Sequence, residues 1–446
     1  MPAGTDSSAA VGTGQAPVIQ IRRESSQLDA DLRIEVTGLP PGQPATIELS
    51  ARDESGTGWT SRATFTAGTD GIVAPARQPA VSGTYQGTDK AGLFWSMRPD
   101  RPGAFFDHRV WTPVTMRVTV LARDSAAAGD SAVAASDLEL TFAGPGITRR
   151  LIAEDGLPGR FFARDEPAPG VLLLAGSDAA ALDPAAALLA SHGYAVLFLP
   201  YFALPGLPPT LERIDLGYVV RGIDWLLGQP QVRGPRVAVM GLSRGAELAL
   251  QVASMDERVG AVVAAAPSYA RHAGIGRGFS DFSQPAWLSE GEALPYLRGR
   301  MTPAGAASLV LAGLRRKPMR QKAFFRAALR SNAATRAAAI EVENIRGPVL
   351  TIAGSDDALW PSDRFAERIA ERLARHAHPF PDASLRYSGA GHFVSFPYAL
   401  PLLPPMTTLR VSSRMSIDFG GTPQASAAAA AASWPRILQF TAQALA

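Results

Sequence analysis

Residues 237–245 read VAVMGLSRG, and residues 246–254, AELALQVAS, follow at once. The first stretch is an apolar, β-prone run that ends in a Gly-x-Ser-x-Gly pattern, and the second stretch favours a helix. A sharp strand-to-helix turn of this form is a nucleophile elbow, in which Gly241 and Gly245 leave room for a strained serine backbone. The pattern predicts Ser243 as a nucleophile, although a serine in an ordinary tight turn also fits these five residues alone.

Apolar runs of the same kind recur through the second part of the chain and alternate with helical stretches. Such runs are typical of parallel strands that are buried on both faces. They predict a doubly wound, mostly parallel α/β-hydrolase domain over residues 151–446. Residues 268–343 interrupt the alternation with helix-prone, arginine-rich sequence, and we expect a helical cap over the active site there. The runs are VLLLAG (171–176), AVLFLPY (195–201), VAVMG (237–241), AVVAAAP (261–267) and PVLTIAG (348–354).

Residues 18–150 carry a different pattern, in which short alternating segments are separated by clusters of Gly, Pro, Asp and Ser. This pattern predicts an antiparallel β-sandwich domain, and a chain of 446 residues is long enough for two domains. Residues 1–17 lack the features of a signal peptide and are predicted to be a disordered lead-in. We expect Phe94 and Trp95 to pack against the hydrolase domain near the site; alternatively, they fill the sandwich core.

The acid and the base of an α/β-hydrolase follow the serine in chain order, each after a strand. In GSDDALWPS (354–362), which begins with the last residue of the run PVLTIAG, we predict Asp357 as the acid, with Asp356 as the alternative. His392 ends SLRYSGAGH (384–392), whose small residues let an imidazole protrude, and is the predicted base. His392 would take the serine proton, and Asp357 would fix the imidazole tautomer. Asp357 could instead be only a helix cap.

An oxyanion hole needs two backbone donors aimed at the developing negative charge. The N–H of Arg244, directly after the candidate nucleophile, is the first candidate. The second is the N–H of Ser177, in the loop that turns at Gly176, although an ordinary polar loop fits too. Seven basic cap residues could meet a phosphorylated carrier such as coenzyme A, but a solvated helix face fits equally well. They are Arg315, Arg316, Lys317, Arg320, Lys322, Arg326 and Arg330.

The composition narrows the classes of function. The 43 basic and 40 acidic residues leave a formal charge of only +3, so nucleic acid is not a predicted partner. There are no cysteines, which excludes disulfides and a cysteine nucleophile, and His376 and His378 lack the carboxylate neighbours of a metal site. The alanine-rich run 425–432 predicts a surface or packing helix and not a membrane span. We expect a cytoplasmic protein without metal or cofactor; the oligomeric state has no signature in the sequence.

Four blocks of the sequence carry a resemblance to a known family: GTYQGTDKAGLFWSMRP (83–99), GLSRGAELAL (241–250), IRGPVLTIAGSDDALWPS (345–362) and GAGHFVSFPY (389–398). In this order, and from about Ile19 onward, the chain resembles the acyl-CoA thioesterase and bile acid-CoA:amino acid N-acyltransferase family. The resemblance implies an immunoglobulin-like domain ahead of an α/β-hydrolase domain. It also implies that the nucleophile, acid and base are Ser243, Asp357 and His392.

The resemblance further implies an acyl-CoA thioesterase that works through a Ser-His-Asp acyl-enzyme, with CoA as part of the substrate. Members that conjugate amino acids typically carry cysteine as the nucleophile, so the serine here favours hydrolysis. Transfer of the acyl group to an amino acid or another amine stays the alternative. A general carboxylesterase or peptidase, or a binding protein without catalysis, fits less well. The chain departs from the family at AGSDAA (175–180), where glycines are usual, and at FPY (396–398), where P-P-Y is usual.

Overall fold

The alternating segments at the start of the chain form an all-β domain in the computed structural model. Its strands are β1 (Val18–Arg23), β2 (Leu32–Thr37), β3 (Pro44–Arg52), β4 (Gly58–Thr66), β5 (Ser82–Gly83), β6 (Arg98–Pro99), β7 (Val114–Arg123) and β8 (Asp130–Leu140). An antiparallel sheet has the order β5-β4-β3-β7-β8 with β6 beside β4, and β1 pairs separately with β2. In β3, Ala45, Ile47 and Leu49 are buried and alternate with more exposed residues, as a sheet with one covered face requires. The immunoglobulin-like topology stays a prediction.

The described residues are 16–123, 130–179, 181–276, 282–299, 317–412 and 415–446, with the single positions 307, 311, 313 and 315 between them. Most of the predicted lead-in, residues 1–17, therefore lies outside the described residues, as does Arg316 of the cap.

The predicted apolar runs form the centre of an eight-stranded sheet with the order β19-β18-β15-β14-β11-β12-β10-β9. The six strands from β19 to β12 are parallel, whereas β10 and β9 are antiparallel at one edge. The sequence pattern did not reveal β9 because four of its five residues are exposed. The strands are β9 (Thr148–Ile152), β10 (Gly159–Ala163), β11 (Ala168–Leu174), β12 (Ala195–Phe198), β14 (Val232–Leu242), β15 (Val259–Ala265), β18 (Val349–Gly354) and β19 (Ala383–Tyr387).

Helices cover both faces of this sheet. They are α2 (Asp183–Ser191), α3 (Leu216–Leu227), α4 (Arg244–Ala253), α7 (Ser362–Arg375) and α8 (Pro423–Ala444). Because successive residues of a strand point to opposite faces, Val171 and Leu173 of β11 join a core with α2, α8 and the β domain. Leu172 and Leu174 join the other core, with α3, α4 and α7. Helix α8 includes the alanine-rich run, as predicted, and Ala429, one of its residues, is buried.

The described part of the predicted cap contains two helices, α5 (Lys322–Ala328) and α6 (Asn332–Ala338). It also contains two short strands, β16 (Trp287–Ser289) and β17 (Glu292–Ala293), which form a small sheet with β13 (Ile214–Asp215). The described cap is therefore mixed and not purely helical as predicted. Trp287 explains part of the difference, because its fully buried indole ties this segment to the hydrolase core.

The two domains pack on each other. Asp29 of the β domain accepts hydrogen bonds from His192 Nε2 at 2.6 Å and from Trp434 Nε1 at 2.7 Å, both in the hydrolase domain. Burial alone would raise the pKa of Asp29, but these hydrogen bonds lower it below its ordinary value. Helix α1 (Gly92–Trp95) contacts α8 as well as β3 and β4. The segment of Phe94 and Trp95 thus meets both the hydrolase domain and the sheet of its own domain.

Candidate active site

Ser243 lies between β14 and α4 with φ +60° and ψ −119°. A positive φ at a residue with a side chain is strained, and such strain concentrates at functional sites. A Cβ on Gly241 would lie 2.4 Å from the carbonyl carbon of Gly245, and a Cβ on Gly245 would lie 2.3 Å from the Ala175 carbonyl oxygen. The Ser243 N–H donates to the Ala265 carbonyl at 2.9 Å. The turn therefore has the geometry of a nucleophile elbow, and it needs both glycines because the backbones approach so closely.

The Asp357 carboxylate is buried and accepts four hydrogen bonds. Its Oδ1 accepts from the N–H groups of Leu359 at 2.9 Å and Trp360 at 3.1 Å. Its Oδ2 accepts from the Ser362 hydroxyl at 2.6 Å and from His392 Nδ1 at 2.8 Å. Because Nδ1 donates to a carboxylate, the neutral ring has its lone pair on Nε2, the nitrogen that can accept a proton.

The predicted alternative acid, Asp356, is exposed, and its Oδ1 lies 3.4 Å from the Ser355 hydroxyl. The structure thus brings Asp357 and not Asp356 to His392. The N–H groups that fix Asp357 belong to a turn that begins three residues after β18, which explains why the second of two adjacent carboxylates reaches inward. The helix-cap interpretation is partly right as well, because the carboxylate accepts from two nearby backbone N–H groups.

Nε2 of His392 is buried and has no hydrogen-bond partner among the described residues. The ring lies edge-on to Trp360, with centroids 5.9 Å apart, and stacks on Phe419 at 6.2 Å. A buried nitrogen without a partner is an unmade hydrogen bond, which a substrate or a reacting hydroxyl can complete. Ser243 and His392 line the same cavity.

Both residues predicted to supply oxyanion donors, Arg244 and Ser177, also line this cavity. The loop at Ser177 is held by a tyrosine that follows the candidate base: the Gly176 N–H donates to the Tyr398 hydroxyl at 2.7 Å, and that hydroxyl donates to Asp178 Oδ1 at 2.5 Å. Burial, reinforced by the Asp178 carboxylate, raises the pKa of Tyr398 well above its ordinary value, so the hydroxyl keeps its proton. Sequence reasoning noted this tyrosine only within the segment FPY.

A buried ion pair lies behind the elbow. Nη1 of Arg244 is 2.9 Å from Oε2 of Glu247, and both side chains are almost fully buried. His272 Nδ1 lies 3.2 Å from the same Glu247 oxygen, and Trp287 Nε1 donates to Oε1 at 2.7 Å. Burial alone would raise the pKa of Glu247, but the Arg244 charge and the hydrogen bonds from His272 and Trp287 lower it below its ordinary value. The network ties the first turn of α4 to the cap strand β16.

Sequence reasoning missed this network and placed His272 among the less suggestive histidines. The available signal was a pair of opposite charges, Arg244 and Glu247, three residues apart in an otherwise apolar helix. Charges rarely enter such a helix unless they are paired, so the pair indicates a buried contact beside the nucleophile.

The cavity encloses about 430 Å³. The cap lines it mainly with apolar residues, such as Ile275 and Phe325, and with the polar Gln321. The β domain contributes Phe105 and Arg109, and strand β10 contributes Arg160. The β domain therefore reaches the site through the loop before β7 and not through α1. No motif marks this loop in the sequence, because its position depends on how the domains pack.

The basic cluster of the cap is interspersed with two residues that line this cavity, Gln321 and Phe325. Of its described members, none lines the cavity. Arg320 pairs with Asp418 at 3.1 Å, and Lys322 Nζ lies 3.7 Å from Asp363. Within the described ranges, no group of three or more His, Cys, Asp or Glu side chains could hold a metal ion. Among the described helices, none combines the length and apolar character that a membrane crossing needs.

The parallel sheet, the elbow and the buried Asp–His pair define the class of α/β hydrolases. Two family models match the chain: "BAAT / Acyl-CoA thioester hydrolase C terminal" over residues 214–446 and "Acyl-CoA thioester hydrolase/BAAT N-terminal region" over residues 29–154. The chain therefore belongs to the acyl-CoA thioester hydrolase/BAAT family, as the sequence resemblance predicted, and it is an enzyme.

Named relatives cover almost the whole chain. Mouse acyl-coenzyme A thioesterase 2, mitochondrial, is 31% identical over 92% of this chain and 86% of its own length. Human acyl-coenzyme A thioesterase 1 is 30% identical over 92% of this chain and 93% of its own length. The mouse peroxisomal succinyl-coenzyme A thioesterase is 30% identical with the same two coverages, 92% and 93%. Among solved structures, the uncomplexed acylaminoacyl peptidase of Pyrococcus horikoshii matches with a TM-score of 0.39 and 13% identity, over 81% of this chain and 62% of that chain.

Proposed function

We propose that this protein is an acyl-CoA thioesterase, which hydrolyses an acyl-CoA to the free acid and CoA. One observation supports the proposal above the others. The buried hydrogen bond from His392 to Asp357 leaves Nε2 without a partner, in the cavity that the strained Ser243 also lines. We therefore assign the roles of acid, base and nucleophile to these three residues, in a chain of a thioester hydrolase family.

In the proposed reaction, the Ser243 hydroxyl oxygen attacks the thioester carbonyl carbon while His392 Nε2 takes the hydroxyl proton. The C–S bond then breaks, and the CoA sulfur leaves with the proton from His392. An acyl ester on Ser243 remains. Water attacks this ester, gives a proton to His392, and releases the acid as the serine oxygen regains that proton. No cofactor takes part, because CoA enters within the substrate.

The oxyanion of each tetrahedral intermediate needs donors that are in place before the reaction. We assign this role to the backbone N–H groups of Arg244 and Ser177. The support is that both residues line the cavity with Ser243, and that Gly176 and Asp178 on either side of Ser177 are held by Tyr398. Asp357 would stabilise the imidazolium of His392 in both halves of the reaction.

The second candidate is transfer of the acyl group to an amine, because the descriptions of both matching family models also cover BAAT. Mass analysis of products from purified protein, incubated with acyl-CoA thioesters of different chain lengths, decides between the candidates. With glycine or taurine added, a thioesterase still yields free acid and CoA. Amide products would assign the chain to the transferases, and turnover of simple esters but of no acyl-CoA would make it a carboxylesterase.

A further inference from the structure

A second groove adjoins the active-site cavity where the two domains meet. It encloses about 700 Å³ between residues 100–109 of the β domain and residues 409–412 of the hydrolase domain. Phe105, Arg109 and Leu409 line both the groove and the cavity. The cavity and the groove therefore adjoin at these three residues, so a ligand that extends from one to the other must pass them.

At the groove, a backbone hydrogen bond joins the two domains. The Arg410 N–H, in β20 (Thr408–Arg410), donates to the Gly103 carbonyl at 2.9 Å. Gly103 has φ +74°, and a Cβ at this position would lie 2.9 Å from the Arg410 Cβ. The close approach requires glycine here. The groove therefore lies at a close-packed contact between the two domains.

Three arginines line the groove: Arg101, Arg109 and Arg410. It also contains two carboxylates, Asp100 and Asp107, so three positive and two negative groups line it. Asp107 forms an ion pair with Arg109, with Oδ1 3.0 Å from Nε, and Asp100 accepts from the Gly58 N–H at 3.1 Å. The Arg109 side chain nonetheless keeps 60% of its surface exposed. Guanidinium groups bind phosphate oxygens with two parallel N–H donors, so this set suits a phosphorylated ligand.

The cavity and the groove differ in the polarity of their linings, as the two ends of an acyl-CoA differ in polarity. The cap lines the cavity mainly with apolar residues such as Phe325 and Ile275, whereas the groove arginines lie where the β domain meets β20 of the hydrolase domain. An acyl-CoA has an apolar chain on one side of the thioester and a multiply charged phosphate arm on the other. With its carbonyl at Ser243, the two ends match the two sides only if the acyl chain points to the cap.

We propose that the groove binds the phosphate groups of the CoA arm through Arg101, Arg109 and Arg410, and that the acyl chain lies on the cap side. This inference rests on the proposed function. The groove arginines, and not the basic cap cluster, are therefore the proposed phosphate site. Arg326 and Arg330, like the other described members of that cluster, line neither the cavity nor the groove.

The test compares two thioesters of the same acyl group, one of CoA and one of pantetheine, which lacks every phosphate. The double variant Arg101→Gln/Arg410→Gln should raise KM for the acyl-CoA and lower the ratio of kcat/KM between acyl-CoA and acyl-pantetheine about tenfold, since each lost charged contact weakens binding several-fold. The matched control Arg326→Gln/Arg330→Gln makes the same chemical change on the cap and should keep the wild-type ratio.

A wild-type ratio in the groove variant, or a fall in the cap variant instead, overturns the groove proposal while the thioesterase function stands. If the wild-type protein hydrolyses neither thioester, the proposed function fails and the groove proposal falls with it. Should the double variant lose its fold by circular dichroism, Arg101→Gln alone still tests the idea. Arg101 is exposed and has no ion-pair partner among the described residues, and its loss should lower the ratio about threefold.

A binding measurement gives a readout without turnover. Calorimetric titration of the Ser243→Ala protein with free CoA should give a Kd about tenfold lower than that of the same protein carrying Arg101→Gln and Arg410→Gln. Free pantetheine should bind both proteins equally weakly. Equal Kd values for CoA in the two proteins would contradict the assignment of the phosphates to this groove.

Discussion

The two walls of the active-site cavity are built in different ways. The strand-end wall includes Ser243 and His392, and the buried Asp357 contacts His392 from outside the cavity lining; each of the three lies shortly after a strand of the parallel sheet. The outer wall includes Phe105 from the β domain and Phe325 from the cap, which are far apart in the sequence. Ends of adjacent parallel strands meet at one edge of a sheet whatever surrounds them, whereas the outer wall exists only after domain and cap have packed. We therefore expect the strand-end wall to determine the chemistry and the outer wall to determine the choice of substrate.

Among the variants of the two walls, Ser243→Ala should have the largest effect on activity. It removes the proposed nucleophile and should lower kcat for acyl-CoA hydrolysis by at least about four orders of magnitude, with an unchanged fold. Steady-state kinetics and a thermal unfolding curve measure both properties. Activity within about tenfold of wild type would remove Ser243 from the chemistry. Conversely, Ser243→Cys should keep part of the activity and shift products toward amides when glycine is present, because thioesters react readily with amines.

Replacement of the acid tests whether the strand-end wall acts as a unit. Asp357→Asn cannot accept from Nδ1 as a carboxylate does, so His392 loses its tautomer and its charge partner, and kcat should fall about 10³- to 10⁴-fold. Asp356→Asn is the matched control, since this neighbour is exposed, and it should stay within about twofold of wild type. Equal losses in the two variants would show that the hydrogen bond to His392 is not what matters.

The same contrast governs what the sequence could predict. The runs that became β11, β12, β14, β15 and β18 were recognisable because strands covered on both faces are apolar throughout. The exposed edge strand β9 lacks that signature. The strands of the described cap were not predicted, because the contact that anchors them, the hydrogen bond from Trp287 to Glu247, joins residues that no local pattern connects. Asp357 and His392 stood out in short motifs after strands, and the structure joins them by a hydrogen bond. Phe105 and Arg109 were invisible, since their position depends on tertiary packing.

Glu247 links the first turn of α4 to the cap, and its loss should have the largest effect on stability. Glu247→Ala leaves Arg244 buried without its ion-pair partner and should lower the free energy of unfolding by about 3–5 kcal/mol, measured by urea denaturation. The exposed pair Arg364–Glu367 offers the control: Glu367→Ala should cost less than about 1 kcal/mol. A loss as small as the control's would mean that the buried pair contributes no more than a surface pair.

The lowered pKa of Glu247 also predicts how stability depends on pH. Because the folded-state pKa lies below the ordinary value of 4.5, ionised Glu247 stabilises the protein above that pH. This contribution is lost as the pH falls through the folded-state pKa. The wild-type protein should therefore lose stability below about pH 4.5 more steeply than Glu247→Gln, in urea titrations at matched ionic strength. Parallel pH profiles would assign the acid sensitivity to other groups.

Replacement of Tyr398 tests whether the loop at Ser177 needs its hydrogen bonds to the Tyr398 hydroxyl. Tyr398→Phe leaves the Gly176 N–H without the Tyr398 hydroxyl as its acceptor and removes the hydrogen bond from that hydroxyl to Asp178. The kcat should therefore fall about 10- to 100-fold while KM changes less than about threefold, because loss of a whole oxyanion donor costs about 10²- to 10³-fold. Tyr194→Phe removes a hydroxyl whose hydrogen-bond partner within the described part of the chain is the Leu438 carbonyl, and it should stay near wild type. A rise in KM with unchanged kcat would instead make Tyr398 a substrate-binding residue.

The smallest expected effect is the difference between variants of the cap and of the β domain at the outer wall. Phe325→Ala removes an aromatic ring from the cap side, where we place the acyl chain, so each carbon of a long chain loses apolar contact. The kcat/KM for a long-chain acyl-CoA should fall about fivefold and that for acetyl-CoA less than about twofold. Phe105→Ala acts on the side of the CoA arm, which is the same in every acyl-CoA, and should lower all values by one common factor. Chain-length profiles of the two variants measure the difference. Identical profiles would mean that the outer wall does not sort the two ends of the substrate.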